Sequence, residues 1–327
     1  MRTKRRTLVV LLVLMLVLGG LLWQLTCSNA QAQQAASAAA EGDIPLSSFA
    51  ADALEEIRYT FQGETLTLEY DSGSWTLAGD PDYHLDASAC NTMVTALSGL
   101  NAKRRLTAQP GEDYGLTDPV VTVTVTAAGE TNTFAFGAEN PVTGDLYLQK
   151  AGDDAVYTVS GNKAACFEQT KADLFGSFNP AGLTASSVEA VTVTTPEGTL
   201  RLKAVSEPVE NDSASSESDS GSSAYQTVWR RDGGPDTDLD GDTVQSLLSA
   251  LAGYVSAQVT DADPAAYGFD APLAAVQAET ADGTVTLYYA SNADGCWLMV
   301  QGDSSVYTVD LDAVNTILQA AESLRGE

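Results

Sequence analysis

Hydrophobic and polar positions follow three different patterns along this chain. From Thr7 to Thr26 (TLVVLLVLMLVLGGLLWQLT) no residue is charged. Those positions make about 30 Å of helix, the thickness of a bilayer's hydrocarbon core. From Gln31 to Gly42 (QAQQAASAAAEG) bulky apolar side chains are missing, a composition that reads as a flexible tether. Beyond that, short runs of period two dominate. The clearest has Val121, Val123 and Val125 alternating with Thr122, Thr124 and Thr126, the signature of a half-buried strand.

These runs recur in a fixed order. Ile57–Gln62 and Leu66–Tyr70 flank Gly63-Glu64, a hairpin signal, and a third run carries Trp75. Asp86 stands as an N-cap ahead of Met93, Leu97 and Leu100 at helical spacing. Strands are predicted at Lys103–Ala108, at Val121 onward, and at Thr133–Phe136, Leu146–Gln149 and Val156–Val159. A closing segment lies around Phe167–Phe175. The order then returns: Val188–Thr194, Leu200–Val205, a strand with Trp229, a helix around Val244–Leu251 and four strands. A closing helix after Asp310 puts Leu311, Val314, Ile317, Leu318, Ala321 and Leu324 on one stripe.

Individual residues match as well. Trp75, Pro81, Asp82, Leu85, Asp86 and Leu97 fall on Trp229, Pro235, Asp236, Leu239, Asp240 and Leu251, and Tyr114-Gly115 through Pro119 fall on Tyr267-Gly268 through Pro272. Val156-Tyr157-Thr158-Val159 is repeated identically at Val306–Val309. Matches in constant order signal a duplicated domain. The expected fold class is α+β: two tandem similar domains, 46–182 and 183–327, each an antiparallel sheet packed against one or two helices. One N-terminal transmembrane helix precedes them. The second copy alone carries an acidic, Ser-rich stretch at 206–224, expected to be a disordered loop.

Charge sets the compartment. Arg2, Lys4, Arg5 and Arg6 precede the apolar run, so residues 1–6 are expected in the cytoplasm, 7–26 across the membrane with Trp23 at an interface, 27–45 as tether, and the rest extracytoplasmic. Two other readings stay open. A signal peptide could be cleaved near Ala30–Ala32, and a lipoprotein signal could modify Cys27, although Gln24-Leu25-Thr26 fits that poorly. Of 16 Lys+Arg, those four lie before Cys27, leaving 12 against all 44 Asp+Glu. Such a surface repels phosphate backbones and anionic lipid, which excludes nucleic acid as a partner. The 44% of hydrophobic residues is enough for packed cores.

Candidate chemistry is sparse. The only histidine is His84, with no nucleophile motif beside it. Asp236-Thr237-Asp238-Leu239-Asp240-Gly241-Asp242 matches the start of a calcium loop, but its twelfth position is Leu247. The match of Asp236 and Asp240 to Asp82 and Asp86 reads as turn and helix cap instead. Cys27, Cys90, Cys166 and Cys296 form no CxxC; small buried thiols are expected, with a Cys90–Cys166 bridge left open. Trp75, Trp229 and Trp297 could stack sugars, yet the matched strand positions of the first two suit core residues. Gly115 and Gly268 are expected to supply a positive φ, and Pro119 and Pro272 to start strands. There is no GxGxxG after a strand, phosphate loop, GxSxG or HExxH. No catalytic, cofactor-binding or metal-binding residue is assigned.

The basic start and single span, the Trp strand, the Pro-Asp-x-x-Leu-Asp helix start, Asp113–Pro119 before a valine strand, and Val156–Val159 together resemble one bacterial family. It is the family of domain of unknown function 4340, and the resemblance runs from about Leu54 to Leu324. It implies a membrane-anchored extracytoplasmic protein, often in the company of ABC-type export systems including gliding-type ones, without established catalytic residues. The expected function is a non-catalytic accessory that engages an envelope protein such as a transporter subunit. A small-ligand or cell-wall-glycan binding module, and after it an envelope hydrolase, are the alternatives.

Overall fold

The structure, a computed structural model, describes residues 44–109, 111–208, 225–234 and 237–326. The expected cytoplasmic start, the span and all but the end of the tether lie outside the described residues. Among those described, no helix is long and apolar enough to cross a membrane. Two compact units form: one from residues up to Trp75 with Ser88–Thr170, the other from Thr76–Ala87 with Lys171 onward.

The first sheet has eight strands. In chain order the pieces are β1 (Ile44–Pro45), β2 (Leu54–Phe61), β3 (Glu64–Asp71), β4 (Ser74–Leu77), β5 (Asn101–Ala102), β6 (Arg104–Leu106), β7 (Val121–Ala127), β8 (Glu130–Glu139), β9 (Leu146–Lys150) and β10 (Val156–Val159). Antiparallel β1 and β5 pair apart from the rest, which run in the order β4-β3-β2-β7-β8-β9-β10-β6. The second sheet uses β11 (Val188–Thr195), β12 (Gly198–Pro208), β13 (Tyr225–Arg231), β14 (Ala257–Val259), β15 (Ala274–Thr280), β16 (Gly283–Asn292), β17 (Gly295–Val300) and β18 (Val306–Val309). Its order, β13-β12-β11-β15-β16-β17-β18-β14, is the first topology strand for strand. Even the irregularities match: β2 slips register between Leu54 and Glu56 against β7, and β11 between Val188 and Ala190 against β15.

Alternation decides which face is buried. Val121, Val123 and Val125 are buried while Thr122, Thr124 and Thr126 are half-exposed. On the polar face threonines bond across strands: Thr124 with Thr133 at 3.0 Å, Thr126 with Thr131 at 3.1 Å and Thr60 with Thr65 at 2.8 Å. Such cross-strand pairs fix register on a solvated face. On the apolar side α1 (Ala87–Ser98) buries Cys90, Met93, Val94 and Leu97. The short α2 (Asn162–Ala165) buries Ala164. In the second unit α3 (Gly241–Leu251) buries Val244, Leu247, Leu248 and Leu251, and packs with α4 (Leu311–Gly326), which buries Val314, Ile317, Ala320, Ala321 and Leu324. Each such buried aliphatic side chain contributes about 1.5–3 kcal/mol.

Three expectations change. The first hairpin turns on Gln62-Gly63, both at positive φ, one residue earlier than Gly63-Glu64. Positive φ at both central residues is the hairpin turn that matches strand twist. The closing segment of the first copy is no counterpart of α4. Its regular structure is one turn at Asn162–Ala165 and one 3-10 turn at Ala172–Leu174, because the sequence there has no unbroken apolar stripe. β12 continues through Ser206–Pro208, paired with Tyr225–Thr227, so the expected loop loses its first three residues to the sheet. Residues 209–224 lie outside those described.

Candidate functional site

The polar side chains of greatest chemical interest converge in the second unit. Residues 76–87 follow the β4 strand in sequence, yet they pack among residues from Lys171 onward. Lys171 Nζ lies 2.5 Å from Asp80 Oδ2 and 4.5 Å from the Tyr83 ring centre, and the Thr260 hydroxyl donates to the same Asp80 oxygen at 2.6 Å. Burial pushes the Asp80 carboxyl up, but hydrogen bonds from Lys171 and Thr260 and the lysine's charge outweigh it and hold the group below its ordinary range. The Tyr83 hydroxyl donates to Lys171 O at 2.8 Å, Asp86 N to Leu174 O at 2.8 Å and Gly176 N to His84 O at 2.9 Å.

A cleft of about 590 Å³ lies over this segment, lined by Asp82, His84, Phe178, Gln258, Asp303 and Tyr307 among others. Gln258, 9% exposed, organises it. Its Nε2 donates to Asp82 O and to Ser305 Oγ, both at 2.9 Å, and its Oε1 accepts from His84 N at 2.8 Å. The exposed His84 ring stacks on Phe178 at 4.0 Å, and Phe178 stands edge-on to Tyr307 at 5.6 Å. Tyr307 donates to Asp303 at 2.6 Å, and Asp303 also accepts from Ser305 N at 2.9 Å; burial first, then this bond, pushes the phenol up.

That last arrangement is structural, because the first unit repeats it. Tyr157 donates to Asp153 at 2.6 Å, and Asp153 accepts from Ala155 N at 2.9 Å. These bonds push the tyrosine up and hold the aspartate down. A device found in both units, only one of which has a histidine, closes a turn. The cleft thus offers hydrogen bonds and an aromatic stack, and the hydroxyl of its buried Ser305 accepts from the Gln258 amide.

The remaining candidates resolve individually. Asp240 caps α3, accepting from Thr243 N at 3.0 Å and from the Thr243 hydroxyl; these two bonds lower its pKa, the hydroxyl's first. Asp238 pairs with Arg230 Nε at 3.0 Å, and Arg230 also bonds Glu207. Asp236 is outside the described residues. No group of three or more His, Cys, Asp or Glu is placed to hold a metal among the described residues. Cys90 and Cys166 are not joined to each other by a disulfide; burial pushes the Cys166 thiol up to about 11.

The Tyr-Gly turns have a shared purpose. Tyr114 stands edge-on to Tyr147 of β9 at 4.9 Å, and Tyr267 to Trp297 of β17 at 4.8 Å. Gly115 has φ +72° and Gly268 φ +89°. Both lie against the strand backbone, at Ala138 and Ser291 respectively. Trp75 and Trp229 are half-buried rather than core residues: Trp75 bonds Asn91 at 3.2 Å and packs on Tyr70, while Trp229 lies at the margin of the second unit's core. Each sits on an edge strand, where no further strand covers it. Trp75→Ala is therefore expected to cost about 1–2 kcal/mol in urea denaturation, well under the ~3–5 kcal/mol of a fully buried aromatic; a loss in the latter range would restore the core assignment. The residues that sequence reasoning missed are Gln258, Lys171 and Thr260. Their partners Asp80 and Asp82 lie more than 90 positions away, so no local pattern marks them.

The fold and cleft define a class: a tandem pair of eight-stranded antiparallel sheet units with a hydrogen-bonding cleft. The chain belongs to the family described as Domain of unknown function (DUF4340), whose profile matches residues 75–227 and 229–326. Both matches begin on the matched tryptophans, Trp75 and Trp229. Neither a curated protein nor a solved structure matches the chain significantly.

Proposed function

We propose that this protein is a membrane-anchored, extracytoplasmic, non-catalytic accessory that docks on a basic surface of an envelope protein, such as a subunit of an ABC-type transport system. The observation that carries this reading is the solvent-facing side of the two sheets. Thr122, Thr124, Thr126 and Thr133 in one unit and Thr192 and Thr194 in the other are partly or fully exposed on strands whose opposite side chains are buried. Regular strands hold these groups at fixed spacings, so little ordering entropy is lost on docking. The formal charge of -28 supplies attraction for a basic partner. The uncharged stretch at 7–26 supports the anchor.

A photo-crosslinking residue placed at Thr124 or Thr192 tests it in native membranes. The expected adduct is one integral-membrane transport protein, weakening as salt rises from about 50 to about 500 mM. A crosslinker at Gln245, exposed on α3, should give none. If purified peptidoglycan competes with the adduct, or if Gln245 captures the same protein as efficiently, the sheet-face reading fails.

A further inference from the structure

A second cavity in the second unit, separate from the cleft, has a volume of about 390 Å³. It opens between the end of α3, the start of α4 and the sheet, and apolar atoms of Ala250, Leu251, Leu298 and Val309 contribute to its lining. That volume lies within the range of small-molecule sites, about 300–1,000 Å³.

Tyr289 lines this cavity from β16 and is 2% exposed. Its hydroxyl has no hydrogen-bond partner among the described residues, and burial alone pushes the phenol up, so it remains a donor. The first unit shows what a purely structural residue would be here. Phe136 pairs with Val121 as Tyr289 pairs with Ala274, and Phe136 is fully buried. The second unit has thus added a hydroxyl to an apolar position without giving it a protein partner. Asp310 and Asp312, both exposed, also line the cavity and disfavour an anion, and its apolar lining disfavours any buried charge.

We propose that this cavity binds a small uncharged molecule with an apolar body and an acceptor oxygen that takes the Tyr289 hydroxyl hydrogen. The site is independent of the docking face, and its loss leaves the crosslinking outcome unchanged. The test uses full-length protein in nanodiscs and ¹⁹F NMR with three probes: 4-fluoroacetophenone, 1-fluoro-4-isopropylbenzene, which lacks the acceptor, and 4-fluorobenzoate. The ketone should bind saturably and about tenfold tighter than the hydrocarbon, the worth of one hydrogen bond, with the carboxylate weakest. Tyr289→Phe should erase the ketone's advantage without lowering the melting temperature, since phenylalanine already serves at Phe136; this comparison cancels probe partitioning into lipid. Ala313→Trp, which fills the cavity, should abolish saturable binding of all three. Equal binding of ketone and hydrocarbon, preference for the carboxylate, no saturable binding, or a melting temperature lowered by several degrees in Tyr289→Phe overturns the proposal. So does saturable binding that survives Ala313→Trp.

Discussion

Gly115→Ala should destabilise the first unit by roughly 3 kcal/mol or more, because two penalties add. The residue sits at φ +72°, and a Cβ there would lie 2.4 Å from the Ala138 nitrogen and 2.8 Å from its Cβ. The backbone cannot back away freely, since Ala138 N donates to Tyr114 O at 2.9 Å and Tyr114 packs on Tyr147. Gly268→Ala should do the same to the second unit, with its Cβ 2.7 Å from Ser291 O. Gly129→Ala is the control. Its φ is +73° but nothing lies within 4 Å of the added atom, so it should lose only the ~1–2 kcal/mol of a left-handed alanine. Hydrogen exchange on peptides from each unit separates the effects. If Gly115→Ala proves no worse than Gly129→Ala, the close approach to β8 carries no energy.

Gln258→Ala should cost roughly 1–3 kcal/mol, because it removes the partner of His84 N and Asp82 O and one partner of Ser305 Oγ at once, a loss that water entering the cleft offsets only in part. The loss should be local as well as global. Amide exchange at His84 and Asp86 should rise more than at Val276 in the centre of the sheet. Gln258→Glu sharpens the test: a carboxylate can still accept from His84 N, but it faces the Asp82 carbonyl without a proton to donate. It should be at least as destabilising as alanine at neutral pH and recover as the pH falls and the glutamate protonates. Wild-type stability of residues 76–87 should fall at lower pH than this recovery, because the depressed Asp80 group contributes above its unfolded pKa and is lost as pH drops through the folded one, whereas a glutamate facing a carbonyl protonates above its ordinary range. A uniform exchange increase across the unit, with no excess at His84, would mean that the segment is held by packing rather than by the Gln258 amide.

Much of the fold was legible because strands announce themselves locally. Val121–Thr126 alternates, Asp240 precedes an apolar helical stripe, and the order of such signals repeats. The turn glycines were legible for half of their reason: the positive φ, but not the backbone lying against it. The candidate site was hardly legible. His84 was visible as an isolated histidine, but its stack on Phe178 and its backbone bond to Gln258 join residues 94 and 174 positions apart. Tyr289 had one usable signal, the replacement of Phe136 by tyrosine at the matched inward position.

By itself, then, the sequence determined the duplication, most of the strands and helices, the buried face of the central strands and the family, since these follow from side-chain periodicity and from comparing the chain with itself. Only the tertiary structure decided that residues 76–87 belong with the second unit, that Asp238 and Asp240 are spent on Arg230 and a helix cap, and that Tyr289 lines a cavity. The physical reason is the range of the forces involved. Backbone preference and amphipathic period act within a few residues, whereas Asp80–Lys171, Gln258–Asp82 and the walls of the Tyr289 cavity exist only once distant strands have brought their side chains within about 3–4 Å of one another.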